Sequence, residues 1–288
     1  MTNISLDISG KIDGQTAGAL AHVKAAADSM GMPIFLIGAL ARDIFLKHIH
    51  GLPPRRLTKD IDFGASVATW GDFDRLRTEL IIKHGFEGTM KLQELRFGKT
   101  LVDIIPFGAI AGPKQNLFWP PDQSFRLSTL GFEEAYKSAP EVKISLSPAV
   151  YVKVCSLPAL VILKLISWHE RYPERQRDAE DVLEILDRYE QVIPINRLYL
   201  EDKELISEEG FDNRNAAIRL LGRDMARIAG AESGRLIISI LERETKEDSN
   251  LWLAAQMARG LYLGDADLHE VVANIAKLKQ GFEEIYRS

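Results

Sequence analysis

KDIDF, residues 59–63, is the stretch on which the reading of this chain turns. Asp60 and Asp62 alternate there with Ile61 and Phe63, which is the period of an extended strand. Residues i and i+2 of a strand share a face, roughly 6.5–7 Å apart along the chain. Both acids therefore project together, while Ile61 and Phe63 turn into a core on the other side. Val102-Asp103-Ile104 repeats the pattern further on. If the two strands are neighbours, three carboxylates converge on one patch. Such a cluster raises its own pKa values unless cations neutralise it, and oxygen-only donors suit Mg2+ or Mn2+. The plain alternative is that acids sit at strand ends for solvation alone, with Asp60 capping a turn after Pro54.

Working outward, residues 14–30 carry Ala17, Leu20, Val23 and Ala27 at helical spacing and stop at Gly31 and Pro33. PIFLIG (33–38) reads as a short buried strand and ALARDIFLKHI (39–49) as a helix, broken by Gly51, Pro53 and Pro54. DIDFGA (60–65) is a strand, and residues 70–85 form a helix with Phe73, Leu76, Leu80 and Ile81 on one side. MKLQELRF (90–97) and TLVDIIPF (100–107) flank Gly98-Lys99 as a hairpin. A short helix at 131–139 and a strand at 150–155 follow. From Leu157 the signal is helical, over 157–171, 175–190, 213–229, 232–245, 250–262 and 266–286. The expectation is an α/β domain over 1–155, a mixed sheet flanked by helices, and a helical domain over 156–288.

At 288 residues the chain has ample material for a core, and 46% hydrophobic with 27% charged residues is ordinary for a globular protein. A net charge of −5 argues against broad coating of nucleic acid, while leaving room for a local basic patch. The single cysteine, Cys155, excludes an internal disulfide framework and suits a reducing cytosol. The polar N-terminus lacks a signal-peptide core, and no uncharged apolar run approaches the length of a membrane span, so a cytoplasmic protein is expected. The six histidines show no zinc-like spacing.

Gly38 ends an apolar strand where a helix begins, which aims backbone N–H groups outward, as an anion site requires. Arg42 lies one turn inside and can reach the same anion, or it can simply face solvent. Between Ile44 and Lys59 the chain has no acid but holds Lys47, Arg55, Arg56 and Lys59 with His48 and His50. This loop either steers phosphate toward the acidic strand or is a solvated turn. Lys164 sits in LPALVILKLISW (157–168), apolar nearly all round. A buried ammonium is costly unless paired, so it either finds an anion or snorkels out. Asp178 and Asp181 fall in the first turn of the next helix, where negative charge suits the dipole.

Together, Gly38-Ala39, a helix, Asp60-x-Asp62 on a strand and Asp103 on a later strand resemble the DNA polymerase β-like nucleotidyltransferase superfamily. VDIIPFG (102–108), WPPD (119–122), LGFEEAY (130–136), SLPALVILKLISWHER (156–171) and RDAEDVLEIL (177–186) are similar to bacterial AbiEii-type nucleotidyltransferases of toxin–antitoxin and abortive-infection systems. The resemblance covers about residues 30–190. It implies transfer of a nucleoside monophosphate from an NTP to an acceptor hydroxyl with release of pyrophosphate. Asp60, Asp62 and Asp103 would be the catalytic metal carboxylates for Mg2+ or Mn2+. Gly38, Ala39, Arg42, Lys59 and Lys164 would hold the nucleotide, and Asp178 would orient Lys164 or the acceptor. It further implies an RNA acceptor, with tRNA 3′ ends first, and a protein antitoxin. Ala39 departs from the usual Gly or Ser and loses a hydroxyl contact. A small-molecule adenylyltransferase of the aminoglycoside-modifying kind and a nucleotide-binding module with little catalysis stay open beside it.

Overall fold

The computed structural model describes residues 6–287 apart from 57, 59, 121–125, 195 and 260–264. The chain divides into two compact units, one up to Ser156 and one from Leu157.

The first unit begins with β1 (Leu6–Asp7) and α1 (Gly14–Ser29), which Asp13 caps by accepting from the backbone N–H groups of Gln15 and Thr16. β2 (Ile34–Ile37) is buried throughout and runs into α2 (Gly38–Asp43). Residues Ile44–Ile49 continue as a π-helical turn, so the helix expected over 39–49 changes winding halfway. β3 (Ile61–Ser66) carries the acidic strand, and α3 (Trp70–His84) follows behind a Thr69–Asp72 capping box. Then come β4 (Glu87–Gly88), β5 (Glu94–Phe97), β6 (Thr100–Phe107), β7 (Asn116–Phe118), β8 (Arg126–Ser128), α4 (Phe132–Ser138), β9 (Glu141–Leu146) and β10 (Ala149–Lys153).

The main sheet has the order β2-β3-β6-β5-β4, with β3 and β6 parallel and the other pairs antiparallel. Ile61, Phe63, Leu95, Val102 and Ile104 are fully or almost fully buried on one face. Helix α1 lies against β6 on that side, with its Gly18 close to the ring of Phe97. On the opposite face, Phe35 of β2 packs edge-on to Phe107, Phe132 and Tyr136, so α4 covers one half. Gly64 makes room there, since a Cβ would lie 2.4 Å from the Phe35 ring. The other half of this face carries the acids.

Three local expectations are corrected. The strand expected over 90–97 exists only from Glu94. Residues 90–93 form a turn in which Glu94 N–H donates to the Lys91 carbonyl, and Met90 is left wholly exposed. Ile81 is exposed rather than part of the buried stripe of α3, which consists of Phe73, Leu76 and Leu80. β9 was not expected at all, although EVKISL alternates buried Val142 and Ile144 with polar neighbours. Trp119 packs its ring against Trp70 and Phe73, as a loop anchor would.

The second unit is helical: α5 (Leu157–Glu170), α6 (Gln176–Val192), α7 (Glu204–Glu208), α8 (Asn213–Ile228), α9 (Ala231–Glu244), α10 (Trp252–Ala258) and α11 (Asp265–Tyr286). Helix α5 buries Leu157, Ala159 through Ile166 and Trp168, and so has almost no solvent face. Among the described residues no helix is long and apolar enough to cross a membrane.

Candidate active site

Three strands bring acids to one level of the main sheet. Asp62 of β3 is the register partner of Asp103 of β6. Asp103 is in turn the partner of Glu94 of β5. Adjacent strands lie about 4.8 Å apart and opposed residues project to the same face, so Asp62, Asp103 and Glu94 form a row across the sheet. Ile61, Val102 and Leu95 point the other way into the core. Asp60 lies just before β3 and is exposed.

The row ends against Gly38. β2 pairs with β3 so that Ile37 faces Asp62, and the next residue turns the chain into α2 with φ +71°. A Cβ on Gly38 would lie 2.1 Å from Asp62 Oδ2 and 2.8 Å from its Cγ. Glycine is thus required twice, for the left-handed backbone and for the approach of the carboxylate. Ile37 supplies no side-chain cap to α2, so the first-turn N–H groups have no capping side chain. Ala39 is buried beside them.

Among the described residues no group of three or more His, Cys, Asp or Glu side chains forms a ready-made metal cage. Two carboxylates facing each other across a parallel ladder do fit a hard cation of the Mg2+ kind. Such an ion binds through one or two carboxylates and completes its shell with water and substrate phosphates. The Gly38 cradle fits as well, because a Cβ there would occupy the space that Asp62 Oδ2 takes.

Arg42 does not stand where an anion could meet it. It is 0% exposed, and its Nε and Nη2 both donate to Asp43 Oδ1, at 2.9 and 2.6 Å. The helical phase allowed an outward arginine, and the adjacent Asp43 turns it inward as a buried pair. In the basic loop, Lys47, His50 and Arg55 are exposed, whereas Lys59 lies outside the described residues, as do Pro121 and Asp122 of WPPD. Burial holds both His48 and His50 below the ordinary histidine pKa, with Lys47 lowering His48 further. At neutral pH the charge of the described part of the loop therefore comes from its lysine and arginines.

In the helical unit Lys164 is buried at 7% exposure and does not snorkel. Its Nζ donates to Asp178 Oδ1 at 3.1 Å and lies 2.5 Å from Asp181 Oδ2, both on α6. Burial pushes its pKa down, but Asp181 and then Asp178 outweigh that, and the net direction is up. Asp178 Oδ2 is buried without a hydrogen-bond partner among the described residues, with Arg175 Nε 3.9 Å away. Asp178 therefore keeps one acceptor oxygen to offer.

Three residues of these clusters escaped the sequence reading as site residues. Asp181, at 1% exposure, is nearer to Lys164 than Asp178 is, and its i, i+3 spacing from Asp178 was the available signal. Glu94 and Lys91 were hidden inside the strand expected over 90–97. The hairpin turn at Gly98-Lys99 fixes the ladder from Phe97↔Thr100, and counting outward along it gives Glu94↔Asp103.

The family described as "Nucleotidyl transferase AbiEii toxin, Type IV TA system" matches over residues 30–255, well beyond the stretch that carried the resemblance. No curated protein matches significantly. Among solved structures, the chain is similar to the antibiotic-resistance factor ANT(2'')-Ia at 18% identity and TM-score 0.36, covering 69% of this chain and 98% of that one. It is similar to an antigenic nucleotidyltransferase-like protein from Paracoccidioides brasiliensis at 16% identity and TM-score 0.41, covering 72% and 94%. It is also similar to the Thermotoga maritima CCA-adding enzyme, solved with tRNA, at 12% identity and TM-score 0.25, covering 96% and 82%. Likenesses this distant say nothing about this chain's chemistry.

Proposed function

Since the chain belongs to the AbiEii nucleotidyl transferase toxin family and is a nucleotidyl-transfer enzyme, we propose that it moves a nucleoside monophosphate from an NTP to the 3′ hydroxyl of an RNA, tRNA first, at the Asp60, Asp62 and Asp103 patch. The observation that carries this reading is the register of Asp62 with Asp103 beside a glycine that no other residue can replace without moving Asp62.

In this reading Asp60, Asp62 and Asp103 hold Mg2+ or Mn2+. Held there, such ions would supply positive charge against the triphosphate and acidify the attacking hydroxyl. First-turn N–H groups at Gly38 and Ala39 receive phosphate oxygens, at the end of α2 where the dipole favours negative charge. Asp103 accepts the proton of the acceptor hydroxyl. The acceptor oxygen bonds to the α-phosphorus as the bond to the β-phosphate oxygen breaks, and pyrophosphate leaves with that electron pair. Lys164 and Asp178 keep only the roles that the resemblance implies, charge balance for the nucleotide and orientation of Lys164 or the acceptor. Lys59 is kept as a nucleotide-binding residue on the resemblance alone. Arg42 acts indirectly, through Asp43, on the helix that carries the phosphate-facing N–H groups. As a family of Type IV toxins, it implies an antitoxin that offsets the activity, and a cytoplasmic site of action follows from an RNA acceptor.

The RNA acceptor draws support from the exposed Lys47 and Arg55 in the basic stretch that precedes the acidic strand in sequence. An aminoglycoside-like acceptor is the second reading, favoured by the net charge of −5. Competition separates the two. With labelled NTP and Mg2+, total RNA should take up label that an excess of cationic aminoglycoside does not capture. Label moving to the drug while RNA stays bare would overturn the RNA assignment and keep the transferase.

A further inference from the structure

Lys91 and Glu94 lie outside every role assigned so far, yet they border the carboxylate row. Glu94 faces Asp103 across the β5–β6 ladder, on the side of the sheet that carries Asp62. Lys91 Nζ donates to Glu94 Oε2 at 3.0 Å. The turn that presents Lys91 is itself pinned: Thr89 Oγ1 accepts from Lys91 N–H at 3.1 Å and donates to the Glu94 carbonyl at 3.3 Å. The Lys91 side chain beyond it is 63% exposed, whereas that of Glu94 is only 13% exposed. An anchored turn thus carries a long, flexible ammonium arm next to the acids.

We propose that Lys91 is a resident counter-cation of the carboxylate row, parked on Glu94, which offsets the repulsion among the acids while no nucleotide is bound and competes with the divalent ion that arrives with it. This rests on the reading of Asp62 and Asp103 as metal carboxylates. Three points support it. Opposed carboxylates one strand apart repel and need a cation nearby. An ammonium is a compact charge on a flexible stem and can withdraw when a stronger cation arrives. And the Lys91 pKa is raised, first by its hydrogen bond to Glu94 and by that charge, then also by Asp103 and Asp60, against a lowering by burial. A lysine bonded to Glu94 alone, as an ordinary surface pair, would contribute little and would not feel the other acids.

The test is Mn2+ binding to the full chain without nucleotide, followed by electron paramagnetic resonance. At about 20 mM salt, where charges act over roughly 20 Å, Lys91→Met should bind Mn2+ about fivefold more tightly than wild type. Lys91→Arg, which keeps the charge, should match wild type, and added salt should close the gap. Asp62→Asn serves as the control. If wild type binds Mn2+ through Asp62 but Lys91→Met binds no better, the counter-cation role is wrong and the metal site stands. If Asp62→Asn binds as well as wild type, the metal site itself falls, and the inference with it. A change in melting temperature of Lys91→Met with unchanged Mn2+ affinity would mark a merely structural pair.

Discussion

Replacing Gly38 by alanine separates two costs that the structure predicts to be very different. The backbone at Gly38 is left-handed, at φ +71°, and an alanine there costs about 1–2 kcal/mol. Its Cβ would also lie 2.1 Å from Asp62 Oδ2, whereas real contacts of this kind stay above about 3 Å. The carboxylate must therefore retreat by about 1 Å. The atoms in the way belong to a side chain that can rotate, so the clash displaces the carboxylate rather than the backbone. A 1 Å misplacement at a reacting centre, however, can cost about 100-fold in rate. Gly38→Ala should thus melt only about 3–6 °C lower while nucleotide transfer falls about 100-fold. Gly10→Ala is the matched control: its φ is +76° but nothing lies within 4 Å of the added Cβ, so it should lose similar stability and keep full activity. Melting curves and label-transfer rates on the two variants decide the matter. If Gly38→Ala works within threefold of wild type, or Gly10→Ala loses activity equally, Asp62 does not need the cradle and the reasoning fails.

Other expectations follow from the same geometry. Lys164→Met removes the ammonium that Asp181, 1% exposed, and Asp178 share, so urea unfolding should show a loss of about 3–5 kcal/mol, largely recovered when both acids are also made Asn. A loss under about 1 kcal/mol would mean the pair is not buried in solution. Asp103→Asn removes one charge of the row, so it should abolish transfer yet melt no lower than wild type without divalent ions; a clear drop in melting temperature would argue that the row is structural. Burial, above all, holds His48, His84 and His169 below the ordinary value of 6.5, helped by Lys47, His22 and Arg243 respectively. The unfolded chain then binds more protons just below that value, so the stability they contribute is present above pH 6.5 and is lost as pH falls through the folded pKa values. Melts from about pH 7.5 to 5 should decline, and less steeply in His84→Gln; equal slopes in the two proteins would count against it.

Much of the site was legible because period two is a strong local signal. KDIDF and VDI each expose an acid between two core residues, and that alone orients Asp62 and Asp103. What pairs with what is a tertiary fact. The neighbours Asp62 and Asp103 belong to a parallel pair joined through α3 and a hairpin, and no local pattern sets that register. Glu94 was within reach, since a two-residue hairpin turn fixes its own register, but Met90 and Leu92 lent residues 90–93 the look of a strand. Arg42 shows the limit of helical phase: the wheel places a side chain, whereas Asp43 next to it decides whether burial is tolerable. Lys164 was readable halfway. An all-apolar helix predicts burial, and only packing against α6 reveals the two carboxylates that offset the cost of burying its charge. The short edge strand β1 had too few residues to show a period.

The most direct test of the central claim is pyrophosphate release from each NTP by purified protein with Mg2+ and total RNA, followed together with label on RNA 3′ ends. Wild type should release pyrophosphate and label RNA in equal amounts, only with a divalent ion, and Asp62→Asn should do neither although it folds. Release and labelling that persist in Asp62→Asn, or that proceed with the metal chelated, would contradict the assignment of nucleotidyl transfer to the Asp62–Asp103 carboxylates.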